Sequence, residues 1–199
     1  MKYSIFKRFL DLLLAVGLLI ILGPFIFLMM GIVFLEDFGN PIYTSSRVGL
    51  NGKIFDMYKI RSMYRNSPDL RLLDNSTYNG KDDVRVTKTG KFLRRTSLDE
   101  LPQILNVLTG DMSIIGPRPD PKDFAEYHIE KRHSLLSVRP GITGLNQVLY
   151  RNESNTMQKI KLDNFYADKY NFTFDLLILV KTFRVVLKSS KIHISKTRV

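Results

Sequence analysis

Apolar and polar positions segregate sharply along this chain. Residues 12–35, LLLAVGLLIILGPFIFLMMGIVFL, carry no charged side chain. At about 1.5 Å per helical residue, the run is long enough to cross a hydrocarbon core of about 30 Å. A secretory signal has the same basic start (Lys2, Lys7, Arg8), but this run is too long for one and no small-x-small cleavage site follows. A simple spanning anchor meets a different difficulty. Gly23-Pro24 lies mid-run, and Pro24 has no N–H while its ring crowds the carbonyl of Ile20, which predicts a kink or break. Basic residues precede the run, and 27 of the 30 Lys+Arg follow residue 35 with 18 of the 19 Asp+Glu. Positive charge favours the cytoplasmic side of a membrane segment. A helix that enters, breaks at Gly23-Pro24 and returns to the same face satisfies both facts. The chain therefore divides into a re-entrant membrane helix over 1–38 and a cytosolic domain over 39–199.

Beyond residue 38 the periodicities become those of a soluble domain. PIYTSSRV (41–48) and KIFDMYKI (53–60) are rich in β-branched and aromatic residues, and Gly49, Asn51 and Gly52 between them predict a hairpin. Residues 64–83 are polar and read as a mobile loop. A short basic helix is predicted over 88–95, and a second helix carries ILNVL (104–108) and ends near Gly110. Amphipathic helices are predicted over 122–136 and 155–169. The segment 172–188, FTFDLLILVKTFRVVLK, is short for a span and carries Asp175, Lys181, Arg184 and Lys188. It reads as a buried core helix or as a helix lying in the membrane interface, the second being favoured in a chain already bound to a membrane. The expected fold class is α+β: mostly helical, with a small β-hairpin, the membrane helix and interfacial amphipathic helices.

Charge and composition narrow the partners. The net charge of +11 points to anions: phosphate esters, nucleic acid or an acidic membrane face. No cysteine is present, which excludes disulfides and thiolate metal sites. His128, His133 and His193 are too scattered for a zinc site.

Candidate chemistry concentrates at SLDELPQ (97–103), directly after Arg94 and Arg95. Ser97 with Glu100 three residues later is the pattern of a helix capping box. Pro102 suits the first position of a helix, which would place Asp99 and Glu100 just ahead of a positive helix end. In either arrangement that field lowers a carboxylate's pKa and keeps it ionised. Such a carboxylate can attack phosphorus or bind Mg²⁺. Adjacent helical residues point about 100° apart, which suits a division of labour between the two. GPRP (116–119) and VRPG (138–141) each place an arginine before proline, where the backbone is stiff and extended. Arginine matches phosphate bidentately. Two ordinary turns that happen to contain arginine are the plainer reading of the same residues. Backbone N–H groups of GITG (141–144) are a weaker candidate for a phosphate contact, and neither a Walker motif nor G-x-G-x-x-G is present.

The ordered set of motifs resembles the bacterial sugar transferases known as monotopic phosphoglycosyl transferases. The matching stretches are FKRFLDLLLAV (6–16), Gly23-Pro24, YKIRSM (58–63), FLRRTSLDELPQILNVLTGDMSIIGPRP (92–119), VRPGITG (138–144) and KLDNFYADKY (161–170). The resemblance covers nearly the whole chain and implies the minimal type, without extra N-terminal membrane helices. It implies transfer of a sugar-1-phosphate from a UDP-sugar to undecaprenyl phosphate, with release of UMP, at the cytoplasmic face of the bacterial inner membrane. It implies Asp99 as nucleophile through a phosphosugar–aspartyl intermediate, and Glu100 as the Mg²⁺ ligand. Lys59, Arg94, Arg118, Arg139 and Arg151 become anion-binding candidates, and Asp163 a further polar site residue. Downstream glycosyltransferases are implied partners, and nucleic acid is not.

Two positions depart from the family's usual pattern. Leu145 and Asn146 follow GITG in place of an aromatic and a small residue, and Gly precedes Pro24 where Ser is common. Two other readings compete. One is a membrane-tethered basic module without chemistry. The other is a glycosyltransferase that adds a later sugar and releases UDP. Which sugar and which glycan are involved is not written in the residues.

Overall fold

The computed structural model describes residues 2–70, 78, 83–122, 134–150 and 155–192. Helix α1 (Lys2–Asp37) leads into an antiparallel hairpin of β1 (Ile42–Val48) and β2 (Ile54–Ile60). Next come α2 (Lys88–Thr96), a 3-10 turn at Leu98–Glu100 and α3 (Gln103–Thr109). Strand β3 (Ser113–Ile115) pairs in parallel with β4 (Gly141–Thr143). Helices α4 (Leu145–Tyr150), α5 (Thr156–Lys169) and α6 (Phe172–Ile192) complete the described chain. The architecture is mostly helical with two small sheets, as the sequence predicts. The helix expected over 122–136 lies outside the described residues except at its ends.

Local chemistry explains the elements. The hairpin pairs Ile42 with Ile60 through to Val48 with Ile54. Its turn places Asn51 and Gly52 at φ 55° and 77°, the left-handed region that these two residue types tolerate best. Gly110, at φ 95°, ends α3 where the sequence predicts. Asn155 caps α5 by accepting the Gln158 N–H at 2.8 Å. The parallel β3–β4 pair was not foreseen, because three residues per strand are too few to carry a period-2 signal.

Helix α1 packs along the rest of the chain over most of its length. Asp11, Ala15, Ile26, Met29 and Val33 are buried, and Leu18, Leu19, Phe25 and Met30 pack beside them, a stripe with helical period. Ala15, Leu18 and Leu19 join the main core with Met57, Ile104, Val107, Ile115, Tyr166 and Ile178. Met29 and Val33 join a second core with Ile60 and Leu93. Polar ties pin both ends. Asp175 of α6 accepts from the Tyr3 hydroxyl at 2.6 Å and the Lys7 ammonium at 2.7 Å, and from Tyr166 of α5 at 2.6 Å. At the other end Arg61 binds Asp37. The outward face of α1 is apolar, with Ile20, Ile21 and Phe27 about three-quarters exposed.

One expectation is corrected here. The helix runs through Gly23-Pro24 as a single element with Pro24 inside it, with no break in the helical assignment. Proline removes one backbone hydrogen bond at a cost of about 3 kcal/mol. Packing of Ala15, Leu18 and Leu19 before the pair and of Ile26, Met29 and Val33 after it holds both halves helical. Helix α6 has one buried face, as a core helix would, and one exposed apolar face. Asp175 and Ile178 are buried, whereas Leu177, Val180 and Phe183 are exposed.

Candidate functional site

The Asp99–Glu100 pair sits in the turn between two helices. Helix α2 begins at Thr87, whose hydroxyl accepts the Gly90 N–H at 2.9 Å. It ends at Ser97, at φ 59° and ψ 21°, with the Ser97 N–H returned to the Leu93 and Arg94 carbonyls. The Ser97 side chain makes no cap bond, so the capping box suggested by the sequence does not form. Glu100 is instead drawn away by two cations. Pro102 directly precedes α3, within one residue of the position its chemistry favours.

Lys59 of β2 donates to Glu100 Oε1 at 2.9 Å. Arg118 grips both oxygens of the same carboxylate, at 2.5 Å to Oε1 and 3.2 Å to Oε2. Burial works against the charge on Glu100, but Arg118 and then Lys59 outweigh it and hold the carboxyl well below the usual carboxylate range. Asp99 differs in every respect. It is buried, and its carboxylate has no hydrogen bond or ion pair among the described residues. Burial pushes its pKa up; Lys59, Arg118 and Arg94 pull it down, and Glu100 pushes with burial. The expectation that one helix end would hold both carboxyls low is therefore corrected. Burial governs Asp99, the ion pairs govern Glu100, and their pKa values separate in opposite directions.

Backbone contacts fix the partners of this pair. Strand β2 is tied to α3 by Asn106, which accepts from the Tyr58 N–H at 3.0 Å and donates to the Asp56 carbonyl at 2.8 Å. Arg94 is held by Ser62 at 2.8 Å. That distance depends on Gly90, where a Cβ would stand 2.0 Å from the Ser62 carbonyl oxygen. The Arg118 loop lies against residues 139–144, where a Cβ on Gly141 would stand 2.0 Å from the Gly116 nitrogen. The Gly141 N–H donates to Pro117 O at 2.8 Å, so this N–H of GITG serves the loop's own backbone. On the far side of Pro119, Asp120 takes Lys159 at 2.8 and 2.9 Å, and Lys159 reaches the fully buried Asp163 at 3.1 Å. Asp163 also acts electrostatically on Arg118.

Of the residues singled out from the sequence, Asp99, Glu100, Lys59, Arg94 and Arg118 thus come together, with Asp163 behind Arg118. Arg139 does not join them. Its Nε donates to Gly110 O at 2.8 Å, at the opposite end of α3 from the carboxylates. Arg151 lies outside the described residues. Sequence reasoning missed Asp120 and Lys159, which no motif marks. It also missed Gln103, which is 1 % exposed with neither amide atom hydrogen-bonded among the described residues. Its place in SLDELPQ was the available signal.

A Mg²⁺ ligand was expected at Glu100. Among the described residues no cluster of three acidic or histidine side chains forms a metal cage. Mg²⁺ needs only one or two carboxylates when phosphate oxygens and water complete its shell. Glu100 Oε2 accepts a single hydrogen bond, so one lone pair of that oxygen is uncommitted. Such a donor set fits a cation that arrives with a diphosphate.

The family model for bacterial sugar transferases matches residues 2–189. The chain belongs to that family. Among relatives of this sugar transferase, the undecaprenyl-phosphate galactose phosphotransferase of Salmonella typhimurium is 40 % identical over 194 residues, covering 92 % of this chain and 40 % of the relative. The uncharacterized sugar transferase EpsL of Bacillus subtilis is 42 % identical, covering 95 % of this chain and 91 % of its own length. The UDP-N-acetylgalactosamine-undecaprenyl-phosphate N-acetylgalactosaminephosphotransferase of Aeromonas hydrophila is 36 % identical, covering 93 % of this chain and 44 % of the relative. The chain therefore spans less than half the length of the two relatives named for a reaction.

The clamp on Glu100 is measurable as a coupling. Lys59→Met and Glu100→Gln are each expected to lower unfolding free energy by about 1.5–3 kcal/mol, the range for hydrogen bonds to charged groups. The double variant is expected to lose less than the sum by about 0.5–3 kcal/mol. Denaturant unfolding of the detergent-solubilised chain measures this, and strict additivity would contradict the pair.

Proposed function

We propose that this chain transfers a sugar-1-phosphate from a UDP-sugar to undecaprenyl phosphate, by way of a covalent Asp99 intermediate. The observation that carries this reading is the contrast between neighbours: Glu100 is gripped by Lys59 and Arg118, whereas the Asp99 carboxylate beside it accepts no hydrogen bond among the described residues. An unbonded anionic oxygen facing fixed cations is a nucleophile for phosphorus. The Salmonella and Aeromonas relatives, named as undecaprenyl-phosphate sugar phosphotransferases, support the acceptor and the reaction class.

In the first step an Asp99 oxygen attacks the sugar-bearing phosphorus, the bond from that phosphorus to the oxygen of UMP breaks, and UMP leaves. In the second, a phosphate oxygen of undecaprenyl phosphate attacks the same phosphorus and the aspartyl–phosphorus bond breaks. The product is a lipid-linked diphosphate sugar, and Asp99 is restored. Arg118, Lys59 and Arg94 supply fixed positive charge to the phosphoryl oxygens. Mg²⁺, held by Glu100 and the donor's phosphates, would neutralise diphosphate charge and favour departure of UMP.

The same reading places the chain as a monotopic protein of the bacterial inner membrane, with its catalytic domain on the cytoplasmic face. Helix α1 is tied to that domain near both ends, at Lys7 and at Asp37. Core contacts at Ala15, Leu18, Leu19, Met29 and Val33 leave no stretch of about 20 residues free to cross the bilayer. On this reading α1 lies in the membrane surface, or dips in and returns through a kink at Pro24, with its outward apolar face in lipid. Because the chain has no cysteine, Lys2→Cys and Asn40→Cys can each be labelled singly. Both are expected to react from the cytoplasmic side only; labelling from opposite sides would sink the monotopic path.

UMP release from UDP-sugars with undecaprenyl phosphate and Mg²⁺ tests the reaction. Asp99→Asn is expected to abolish turnover, and donor alone is expected to leave a sugar-phosphate mass on the peptide bearing Asp99 in the wild type. Release of UDP, or turnover by the Asn variant, overturns the assignment. The pH profile is a second test. Asp99 must be deprotonated to attack, and its pKa is raised. Activity should thus fall with falling pH at values above the ordinary aspartate pKa of about 3.9. Lys59 lowers the Asp99 pKa, so Lys59→Met should move this acid limb to higher pH. A limb that stays still removes Lys59 from the field at Asp99.

A further inference from the structure

Arg8 and Arg139 face a cavity of about 220 Å³ that contains none of Lys59, Asp99, Glu100 and Arg118 in its lining. Its polar wall also includes Lys7, Ser137, Tyr170 and the carboxylate of Asp11. Arg8 caps the C-terminal end of α3, donating to the Val107 and Leu108 carbonyls at 2.7 and 3.3 Å, and Arg139 adds the bond to Gly110. The seven residues of α3, about 10 Å of helix, therefore separate these cations from the Asp99–Glu100 turn.

The charges here are unbalanced. Lys7 has carboxylate partners in Asp175 at 2.7 Å and Asp11 at 4.0 Å. Arg8 and Arg139 have none among the described residues, and the two terminal nitrogens of Arg139 have no acceptor there. The two guanidiniums repel each other: burial first, then Arg139, lowers the pKa of Arg8, against a smaller opposing pull from Asp11. Side-by-side arginines with spare N–H groups at a polar cavity match a phosphate's planar, bidentate demands.

The rim identifies the source of the phosphate. The cavity wall is made by the first turns of α1, whose outward neighbours Ile5 and Phe9 are 71 % and 62 % exposed. Phe6 packs against Phe172 at 6.0 Å between centroids, extending that apolar surface to α6. Cations beside an exposed apolar rim are the arrangement of a headgroup site. The volume is several times the roughly 30 Å³ that one water occupies, enough for a phosphodiester. We propose that the Arg8–Arg139 cavity is a second anion site, separate from the Asp99–Glu100 centre, that holds the phosphodiester headgroup of an acidic membrane lipid and fixes the start of α1 at the membrane surface.

Native mass spectrometry of the full chain, released from micelles doped with phosphatidylglycerol, tests this. The wild type is expected to retain the lipid in preference to phosphatidylcholine. Arg8→Gln and Arg139→Gln are each expected to weaken retention about tenfold or more, as loss of a hydrogen bond to a charged group does. Equal retention by wild type and variants overturns the site. Displacement of the lipid by excess inorganic phosphate or UDP would show a site for free phosphate and overturn the lipid assignment. Both arginines also cap α3, so a variant that unfolds cannot decide the matter by itself. Hydrogen exchange of the wild type then does. Phosphatidylglycerol is expected to slow exchange in residues 4–11 and 134–139, and no protection there overturns the proposal.

Discussion

Two cations share one carboxylate, and the candidate centre is organised by that clamp. Glu100 receives Lys59 from the hairpin and Arg118 from the loop after β3, so three separate segments are tied at a single point. The clamp has an electrostatic consequence for its neighbour. By occupying the ammonium and the guanidinium, Glu100 leaves Asp99 within their field but outside their hydrogen bonds. The two adjacent carboxyls thus acquire opposite pKa shifts in the same few ångströms. In phosphoryl transfer that separation suits a nucleophile beside a fixed anchor.

Helix α1 is part of this arrangement and not merely an attachment to it. Arg8 caps the far end of α3, while Met29 and Val33 pack on Leu93 of α2. The apolar helix therefore braces both helices that flank the Asp99–Glu100 turn. Its outer face is apolar, its inner face is needed by the core, and its first turns carry Arg8, one of the two unbalanced arginines. One element therefore ties the position of the turn to an exposed apolar surface.

Many elements were legible because their signals are local. The hairpin announced itself through β-branched residues around Asn51 and Gly52, α3 through ILNVL and Gly110, and α5 through Asn155 and its periodicity. The carboxylate pair and its arginines were legible as an ordered set of motifs. Two local signals misled. Ser97 and Glu100 read as a capping box, but Glu100 gains more from two cations than from one backbone N–H. Gly23-Pro24 read as a break, but packing on both sides keeps the helix continuous. Arg139, an anion-binding candidate because it precedes proline as Arg118 does, lines a cavity apart from the Asp99–Glu100 turn.

The residues alone determined the apolar N-terminal run, the basic surface, the helical character of the domain and the presence of Asp99, Glu100 and the arginines that accompany them. These are properties of composition and of spacing within a few turns. Only the tertiary structure decided which cation meets which anion. Lys59 and Glu100 are 41 residues apart, and Lys7 and Asp175 are 168 apart. Charge pairing over such separations depends on burial and on the close backbone approach that Gly90 and Gly141 permit. Neither has a local signature, because both are set by which surfaces the folded chain brings into contact.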